Sequence, residues 1–141
     1  MKIRVTKTTK TIIQRKKTIT YKMNTNEILI EAIIKGIQEK KGSAISVIDL
    51  SNTEGAICSS IVVCQGNSPT QVEAISDSIW DVARIDAGEK PLRTVGLENC
   101  QWVAMDYGDV MVHVFLPDTR SFYDLDHMWA DAPTRHVEDP D

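Results

Sequence analysis

Apolar and polar residues alternate with a helical period in the first folded segment of the chain. Apolar side chains recur every three to four positions from Ile28 to Ile37, with charged residues between them. This spacing predicts an amphipathic helix over about 25–41. Asn24 and Glu27 have the spacing of a capping box, in which each side chain accepts a hydrogen bond from a backbone amide at the helix start.

Short runs of apolar, largely β-branched residues predict strands in the rest of the chain. A second helix is predicted between two of them, from the N-cap Ser68 and first-turn Pro69 to Gly88, and a third from Pro117 to about Trp129. The predicted strands are 44–50, 58–65, 91–97, 101–106 and 109–116. We therefore expect an α/β (α+β) protein with a mixed sheet of about five strands and helices packed on it.

Charge is divided unevenly along the chain. Residues 1–22 contain eight basic residues and no acidic one, whereas the remainder has eight basic against all 20 acidic residues, a formal charge of −12. We expect a disordered basic arm over 1–22, one domain over 23–130 and an acidic C-terminal tail over 131–141. The arm has three interpretations: translation that starts at Met23 instead of Met1, a mitochondrial or plastid transit peptide, or a segment that contacts nucleic acid.

Length and composition fit one ordinary domain. The chain has 141 residues, of which 42% are hydrophobic and 26% charged, and this is enough to form a core without disulfides or metal. The longest uncharged run, Gly55 to Val72, includes polar residues and a proline, so no membrane span is predicted. Cys58, Cys64 and Cys100 are odd in number and lack a CxxC spacing, which favours a reducing, cytoplasmic environment.

The turn Gly66-Asn67-Ser68, between a strand and a helix, has the position of an anion-binding loop. The lysine-ended phosphate loop and the three-glycine dinucleotide motif are both missing. The Asp-x-Asp sequence Asp124-Leu125-Asp126 lies far downstream in a predicted helix. A nucleotide-handling enzyme therefore stays only as an alternative, and no cofactor or metal is expected.

Two further groups of residues could carry chemistry. His113 with Cys58 or Cys64 could form a nucleophile pair, although a packed strand histidine and buried thiols are the more common arrangement. Asp106 and Asp109 flank a tight turn and could act as an acid and base, could bind a cation, or could simply cap the turn. Neither group forms a catalytic constellation, so we expect that the protein is not an enzyme.

Residues 101–115, with the sequence QWVAMDYGDVMVHVF, closely resemble the signature of the Iojap-like ribosomal silencing factors. Other matching segments keep the family's order and spacing: 61–68, 71–75, 90–92 and 120–129. The resemblance covers roughly residues 25–130. One departure is that Ser59 and Ser60 stand where the family usually has an Asp and an aromatic residue.

The resemblance implies a nucleotidyltransferase-like fold without catalytic carboxylates. It also implies a repressor of translation in starved or resting cells, which binds the large ribosomal subunit through ribosomal protein fourteen and blocks joining of the small subunit. Homodimers are implied as well. The acidic body agrees with a basic protein partner and disfavours direct, sequence-specific nucleic-acid binding.

Carried over by position, the resemblance implies a site on the fourth and fifth predicted strands. Four residues are expected to contact the partner: Trp102, Met105, Tyr107 and Asp109. Four more are expected to support them, two by shaping the turn and two from the sheet and the final helix: Asp106, Gly108, His113 and Arg120.

Overall fold

The structure is a computed structural model that describes residues 24–140. The predicted arm over residues 1–22 and the question of a start at Met23 lie outside these residues. The helices are α1 (Thr25–Glu39), α2 (Pro69–Val82), α3 (Pro117–Tyr123) and α4 (Leu125–Met128), and a π-helical turn, Ala83–Ala87, extends α2. The strands are β1 (Ser43–Asp49), β2 (Ser60–Gln65), β3 (Arg93–Val95), β4 (Trp102–Asp106), β5 (Val110–Phe115) and β6 (Thr134–Val137).

The strands form one mixed sheet in the order β3-β4-β5-β2-β1-β6. Strands β2 and β5 are parallel, and the other neighbours are antiparallel. This confirms the predicted class, a mixed α+β fold. None of the helices in the described part of the chain has the length and apolarity needed to cross a bilayer.

The sheet has six strands where about five were predicted. The additional strand, β6, lies within the predicted acidic tail over 131–141 and pairs antiparallel with β1, with Val137 opposite Ile45. Three of its four residues are exposed, so the segment has no apolar alternation that would identify it. Pairing with β1 supplies its backbone hydrogen bonds, and the folded domain therefore extends beyond residue 130.

The two long helices begin where their capping residues predict. At α1, Asn24 accepts from the Asn26 amide at 2.7 Å and Glu27 accepts from the Asn24 amide at 3.1 Å. At α2, the Ser68 hydroxyl accepts from the Gln71 amide at 3.1 Å. These local hydrogen bonds satisfy amides that have no partner inside a helix.

Helices α1 and α2 cover one face of the sheet and cross closely at Gly36. A Cβ at Gly36 would lie 2.9 Å from the Ile79 Cα, so the crossing requires a glycine. The Ser78 hydroxyl donates to the Gly36 carbonyl oxygen at 2.7 Å across the same crossing. The larger apolar core forms beneath these helices.

The opposite face of the sheet carries a smaller apolar cluster under the loop 50–59 and the last two helices. The single helix predicted over 117–129 is divided here, because Asp124 adopts a left-handed conformation with φ 52°. Its side chain accepts from the His127 amide at 3.3 Å and so starts α4. Trp129 packs against this smaller cluster.

Candidate functional site

Strands β4 and β5 form the hairpin that carries most of the predicted site residues. Side chains along a strand alternate between the two faces of a sheet. Trp102 and Asp106 therefore lie on the face with the smaller cluster, whereas Met105 and Tyr107 lie on the face under the helices. The hairpin therefore places Trp102 on one face of the sheet and Met105 and Tyr107 on the other.

The two residues under the helices are not available to a partner. Met105 is 1% exposed and Tyr107 is 7% exposed, and both belong to the larger core. The expectation that they contact a partner is therefore corrected: both are core residues. Their place on one face of β4 follows from the alternation, but the burial of that face depends on where α1 and α2 pack.

The hydroxyl of Tyr107 has no hydrogen-bond partner in the core. This hydroxyl is buried and is the one such side-chain N or O atom without a hydrogen-bond partner in residues 24–140. Burial, followed by the charge of Glu89, raises the pKa of Tyr107 well above its usual value. The phenol is therefore neutral, and its hydroxyl has lost its hydrogen bonds to water without replacement.

Tyr107→Phe is expected to stabilise the protein by about 1 kcal/mol, because it removes an unsatisfied buried hydroxyl and keeps the ring. The measurement is urea denaturation of both proteins. Tyr123→Phe is the matched control, since Tyr123 is 50% exposed and its hydroxyl reaches solvent. A loss of stability in Tyr107→Phe would show that the hydroxyl has a partner in solution.

Trp102 is held in a ring stack on the other face. Its indole N–H donates to His113 Nδ1 at 2.9 Å, and its ring centroid lies 4.9 Å from that of Phe115 and 4.7 Å from that of Tyr123. Phe122 continues the stack edge-on to Tyr123 at 5.0 Å. Trp102 is thus fixed in one orientation and only partly covered.

Burial of the His113 ring lowers its pKa from 6.5 to about 4. The ring is therefore neutral at pH 7. Because the indole N–H is only a donor, His113 Nδ1 must accept, and the proton of the neutral ring is on Nε2. Protonation of Nδ1 would place two donors against each other and break the hydrogen bond that orients Trp102.

Large exposed apolar side chains surround Trp102. The exposed fractions are 92% for Ile57, 81% for Phe122, 63% for Met128 and 50% for Tyr123. We call the surface formed by these four residues and Trp102 the Trp102 surface. Side chains this apolar and this exposed, grouped on one face, are typical of a protein-binding surface.

The turn between β4 and β5 places acidic groups beside this surface. The Asp106 carboxylate accepts from the Gly108 amide at 2.8 Å, and Gly108 has φ 90°, which favours glycine. Asp109 is exposed, and its carbonyl oxygen accepts from the Ser59 and Ser60 amides at 2.8 and 3.1 Å. Ser59 and Ser60 therefore connect the turn to the loop 50–59 through their backbone.

Arg120 connects four elements behind the Trp102 surface. Its guanidinium donates twice to the Asp126 carboxylate, at 3.0 and 2.9 Å, and once to the Ala44 carbonyl oxygen at 2.7 Å. It also donates to the Gln65 side-chain oxygen at 3.2 Å and lies 3.4 Å from the Ser46 hydroxyl. The hydrogen bond from Arg120 lowers the pKa of Asp126.

Arg120→Met is expected to lower the free energy of unfolding by about 2 kcal/mol, because three acceptors lose a charged donor. The Arg120 side chain is only 13% exposed. Arg135→Met is the matched control: its ion pair with Glu31 is 3.1 Å long, but the two side chains are 54% and 59% exposed. That variant should change stability by less than about 0.5 kcal/mol. Equal effects of the two substitutions would contradict the assignment.

Cysteine chemistry is not supported by the structure. Burial raises the pKa of Cys64 to about 12, and burial is also the main reason why the pKa of Cys58 is raised. Both are therefore thiols and not thiolates at pH 7. Cys64 belongs to the core under the helices, whereas Cys58 belongs to the cluster on the other face. Between residues 24 and 140, no three or more metal-ligating side chains come together.

The turn at Gly66-Asn67-Ser68 uses its hydrogen-bonding groups internally. The Asn67 amide donates to the Gln71 side-chain oxygen at 2.7 Å, and the Ser68 hydroxyl caps α2. The Gln71 side-chain amide donates to the carbonyl oxygens of Lys40 and Lys41, both at 3.1 Å. This turn ties α2 to the end of α1 and does not present a row of open amides to a phosphate.

Sequence reasoning missed most of the Trp102 surface. Ile57 lies in a loop, Phe122 and Tyr123 end α3, and Met128 ends α4, so they share no periodic pattern. The one available indication was the adjacent aromatic pair at 122–123 beside a polar helix. Only the folding of three separate segments against β4 brings these side chains together.

A family model and several known proteins are similar to this chain. The family model described as "Ribosomal silencing factor during starvation" matches residues 22–141. The chain is 34% identical to a ribosomal silencing factor of Halalkalibacterium halodurans over 113 residues, which are 80% of this chain and 95% of that protein. It is 34% identical over 74 residues to the chloroplastic protein Iojap of Zea mays, and these cover 50% of this chain and 30% of that one.

Solved structures show the same fold. A crystal structure of a Chromobacterium violaceum protein superposes with a TM-score of 0.69 at 32% identity and covers 77% of this chain and 88% of that chain. A crystal structure of a protein from Bacillus halodurans superposes with a TM-score of 0.67 at 31% identity and covers 79% and 100% of the two chains.

Proposed function

Because the chain belongs to the ribosomal silencing factor family, we propose that it represses translation by binding the large ribosomal subunit and blocking the joining of the small subunit. The specific partner that we propose is ribosomal protein fourteen of the large subunit. The names of the relatives describe a regulatory role on the ribosome and not a catalytic one. Repression would apply in starved or resting cells, in keeping with the description of the family model.

The Trp102 surface is the observation that carries this proposal. It combines an oriented tryptophan with four side chains that are at least half exposed, on a face of the sheet that α1 and α2 leave open. A few such aromatic and apolar anchors supply most of the binding energy of a protein interface. About 800 Å² on each partner is enough for a specific complex.

Charge favours a basic protein over RNA as the contact. From residue 23 onward the chain has eight basic and 20 acidic residues. Three of those basic side chains, Lys35, Arg120 and Arg135, are already paired with carboxylates. An acidic surface repels RNA phosphates but attracts a basic ribosomal protein over about a Debye length, ~8 Å.

Of the residues carried over from the family, we propose that Trp102 and Asp109 contact the partner. Asp106 and Gly108 would hold the turn that presents Asp109, and His113 would orient Trp102. Arg120 would act at a distance, by fixing α3 and α4 against the sheet. Met105 and Tyr107 would contribute only through the core.

We also propose that the chain forms a homodimer when it is not on the ribosome. The exposed apolar side chains of the Trp102 surface support association with a second copy, since exposed apolar area of this kind is usually covered in solution. Sedimentation equilibrium of the full chain over a range of concentrations tests this. A single species of 15.8 kDa at all concentrations would contradict it.

Sedimentation on sucrose gradients tests the silencing role. The full chain is mixed with purified large subunits, and small subunits are then added at several salt concentrations. We expect the protein to migrate with the large subunit, fewer joined ribosomes to form, and binding to weaken as salt rises. Protein that stays at the top of the gradient while subunits join normally would refute the proposal.

A further inference from the structure

A groove opens on the face of the sheet that carries Trp102. Its volume is about 400 Å³, which is large enough for one or two amino-acid side chains. Apolar atoms dominate its walls, which include Ile57, Met111, Met128 and Trp129. The groove therefore favours an apolar occupant, which polar groups in the wall would orient.

His113 is the principal hydrogen-bonding side chain in the wall of the groove. The other candidates are the indole N–H of Trp102, which already donates to His113 Nδ1, the indole N–H of Trp129, and the thiol of Cys58, which is a weak donor. With Nδ1 accepting, the neutral ring of His113 carries its proton on Nε2. The groove is thus lined mainly by apolar groups, and His113 is the polar residue of its wall that comes from the central strand β5.

The Nε2–H group of His113 has no acceptor among residues 24–140. In that part of the chain the Tyr107 hydroxyl is the one fully buried side-chain N or O atom without a partner, so Nε2 retains some accessible surface. A donor that is half enclosed by apolar walls gains most from an acceptor that arrives together with an apolar group. A backbone carbonyl beside an aliphatic side chain has this combination.

The charge at the edge of the groove identifies the kind of chain that would supply this group. The carboxylates of Asp106 and Asp109 are close enough to the groove for their charge to raise the pKa of the Cys58 thiol, in addition to the effect of burial. No lysine or arginine lines the groove within the described residues. Phosphate groups would be repelled here, whereas a lysine or arginine next to the occupant would be attracted.

We infer that the groove binds one aliphatic side chain from a basic loop of the protein partner, and that His113 Nε2–H donates to the backbone carbonyl beside it. This inference rests on the proposed function and makes His113 a determinant of specificity. A partner loop does not bind here if its side chain is too large for the groove or if its backbone carbonyl cannot reach His113 Nε2–H. The bound loop places its basic residues against Asp106 and Asp109.

A substitution that fills the groove tests whether a side chain of the partner binds there. Ala56 lies in its wall, so Ala56→Trp in the full chain places a ring where the side chain of the partner would bind. Asn52→Trp adds the same ring to the same exposed loop outside the groove and is the matched control. We expect Ala56→Trp to weaken binding to purified large subunits at least tenfold, and Asn52→Trp to leave it unchanged.

Two substitutions of His113 test the hydrogen bond. The side-chain oxygen of asparagine overlaps Nδ1 and can still accept from Trp102, but its amide N–H groups lie near the position of Cδ2 and do not reach the position of Nε2. The longer glutamine side chain places an amide N–H near the position of Nε2. We expect His113→Asn to bind large subunits about tenfold more weakly than the unmodified chain, and His113→Gln to bind within about threefold of it. Thermal melts verify that each variant is folded.

Each result supports or overturns a defined part of the inference. Unchanged binding by Ala56→Trp overturns the groove as a binding site, while the silencing role stands. An unmodified chain that does not bind large subunits overturns both. If Ala56→Trp converts a dimer to a monomer in sedimentation velocity without affecting subunit binding, the groove binds a second copy and the inference is wrong. Equal loss in the two His113 variants, or the reverse order, shows that His113 acts only by holding Trp102.

Discussion

Trp102→Ala is expected to weaken binding to the large ribosomal subunit about 100-fold, or ~2.7 kcal/mol, a typical effect for a tryptophan at the centre of an interface. The substitution removes the central ring of the stack with Phe115 and Tyr123 and opens the Trp102 surface. It also leaves His113 Nδ1 without its donor. The measurement is co-sedimentation with large subunits at fixed salt, at a temperature where both proteins are folded.

Trp80→Ala is the matched control for this experiment. Trp80 is also partly exposed, at 36%, but it lies on α2, on the helix-covered side of the sheet. Its ring is covered by Arg84 and Lys90, whose charged groups lie 5.7 and 5.9 Å from its centre. We expect less than a threefold change in binding. If Trp80→Ala weakened binding as much as Trp102→Ala did, the binding surface would have to be assigned to the other side of the molecule.

Acid is expected to destabilise the protein through His113. The pKa of this ring is about 4 in the folded protein, against an ordinary value of 6.5 for a solvated histidine, so the unfolded chain binds more protons between these two values. Stability must therefore fall as the pH is lowered from about 6.5 to about 4, and it should be unaffected by this group above pH 6.5. At about 1.4 kcal/mol per pH unit, the total loss is on the order of 3 kcal/mol.

Urea denaturation between pH 4.5 and 7.5 measures this loss, and the NMR titration of the His113 ring gives its pKa directly. His113→Gln should remove most of the pH dependence in this range. His127→Gln is the control, because the His127 side chain is 81% exposed, and the fall in stability caused by His113 should remain in that variant. The carboxylate of Asp126, whose pKa is lowered, affects stability only at more acidic pH. An NMR pKa near 6.5 for His113 would contradict the prediction.

The local features of the chain were predictable because each is formed by residues that are close together in the sequence. The capping box at Asn24 and Glu27, the Ser68 cap and the turn at Gly108 involve residues within a few positions of one another. The same holds for the amphipathic pattern of α1. Such features depend on backbone geometry and short-range hydrogen bonds, which do not need the rest of the fold.

The assignment of the predicted contacts depended on long-range packing. Both faces of the central strands are apolar: Val103 and Val112 lie on one, Trp102 and Phe115 on the other. Alternation shows that Trp102 and Met105 are on opposite faces, but it cannot show which face the helices cover. The prediction that Met105 contacts a partner was wrong for this reason.

The sequence by itself determined the two long helices, five of the strands and the family of this protein, because local patterning and a contiguous signature specify them. The tertiary structure decided the rest. Strand β6 forms because β1 has an open edge, and Arg120 acquires its partners from segments up to 76 residues away. The Trp102 surface likewise unites Ile57, Tyr123 and Met128, which are far apart in the chain. These features arise from contacts between distant segments, and such contacts exist only once the sheet has formed.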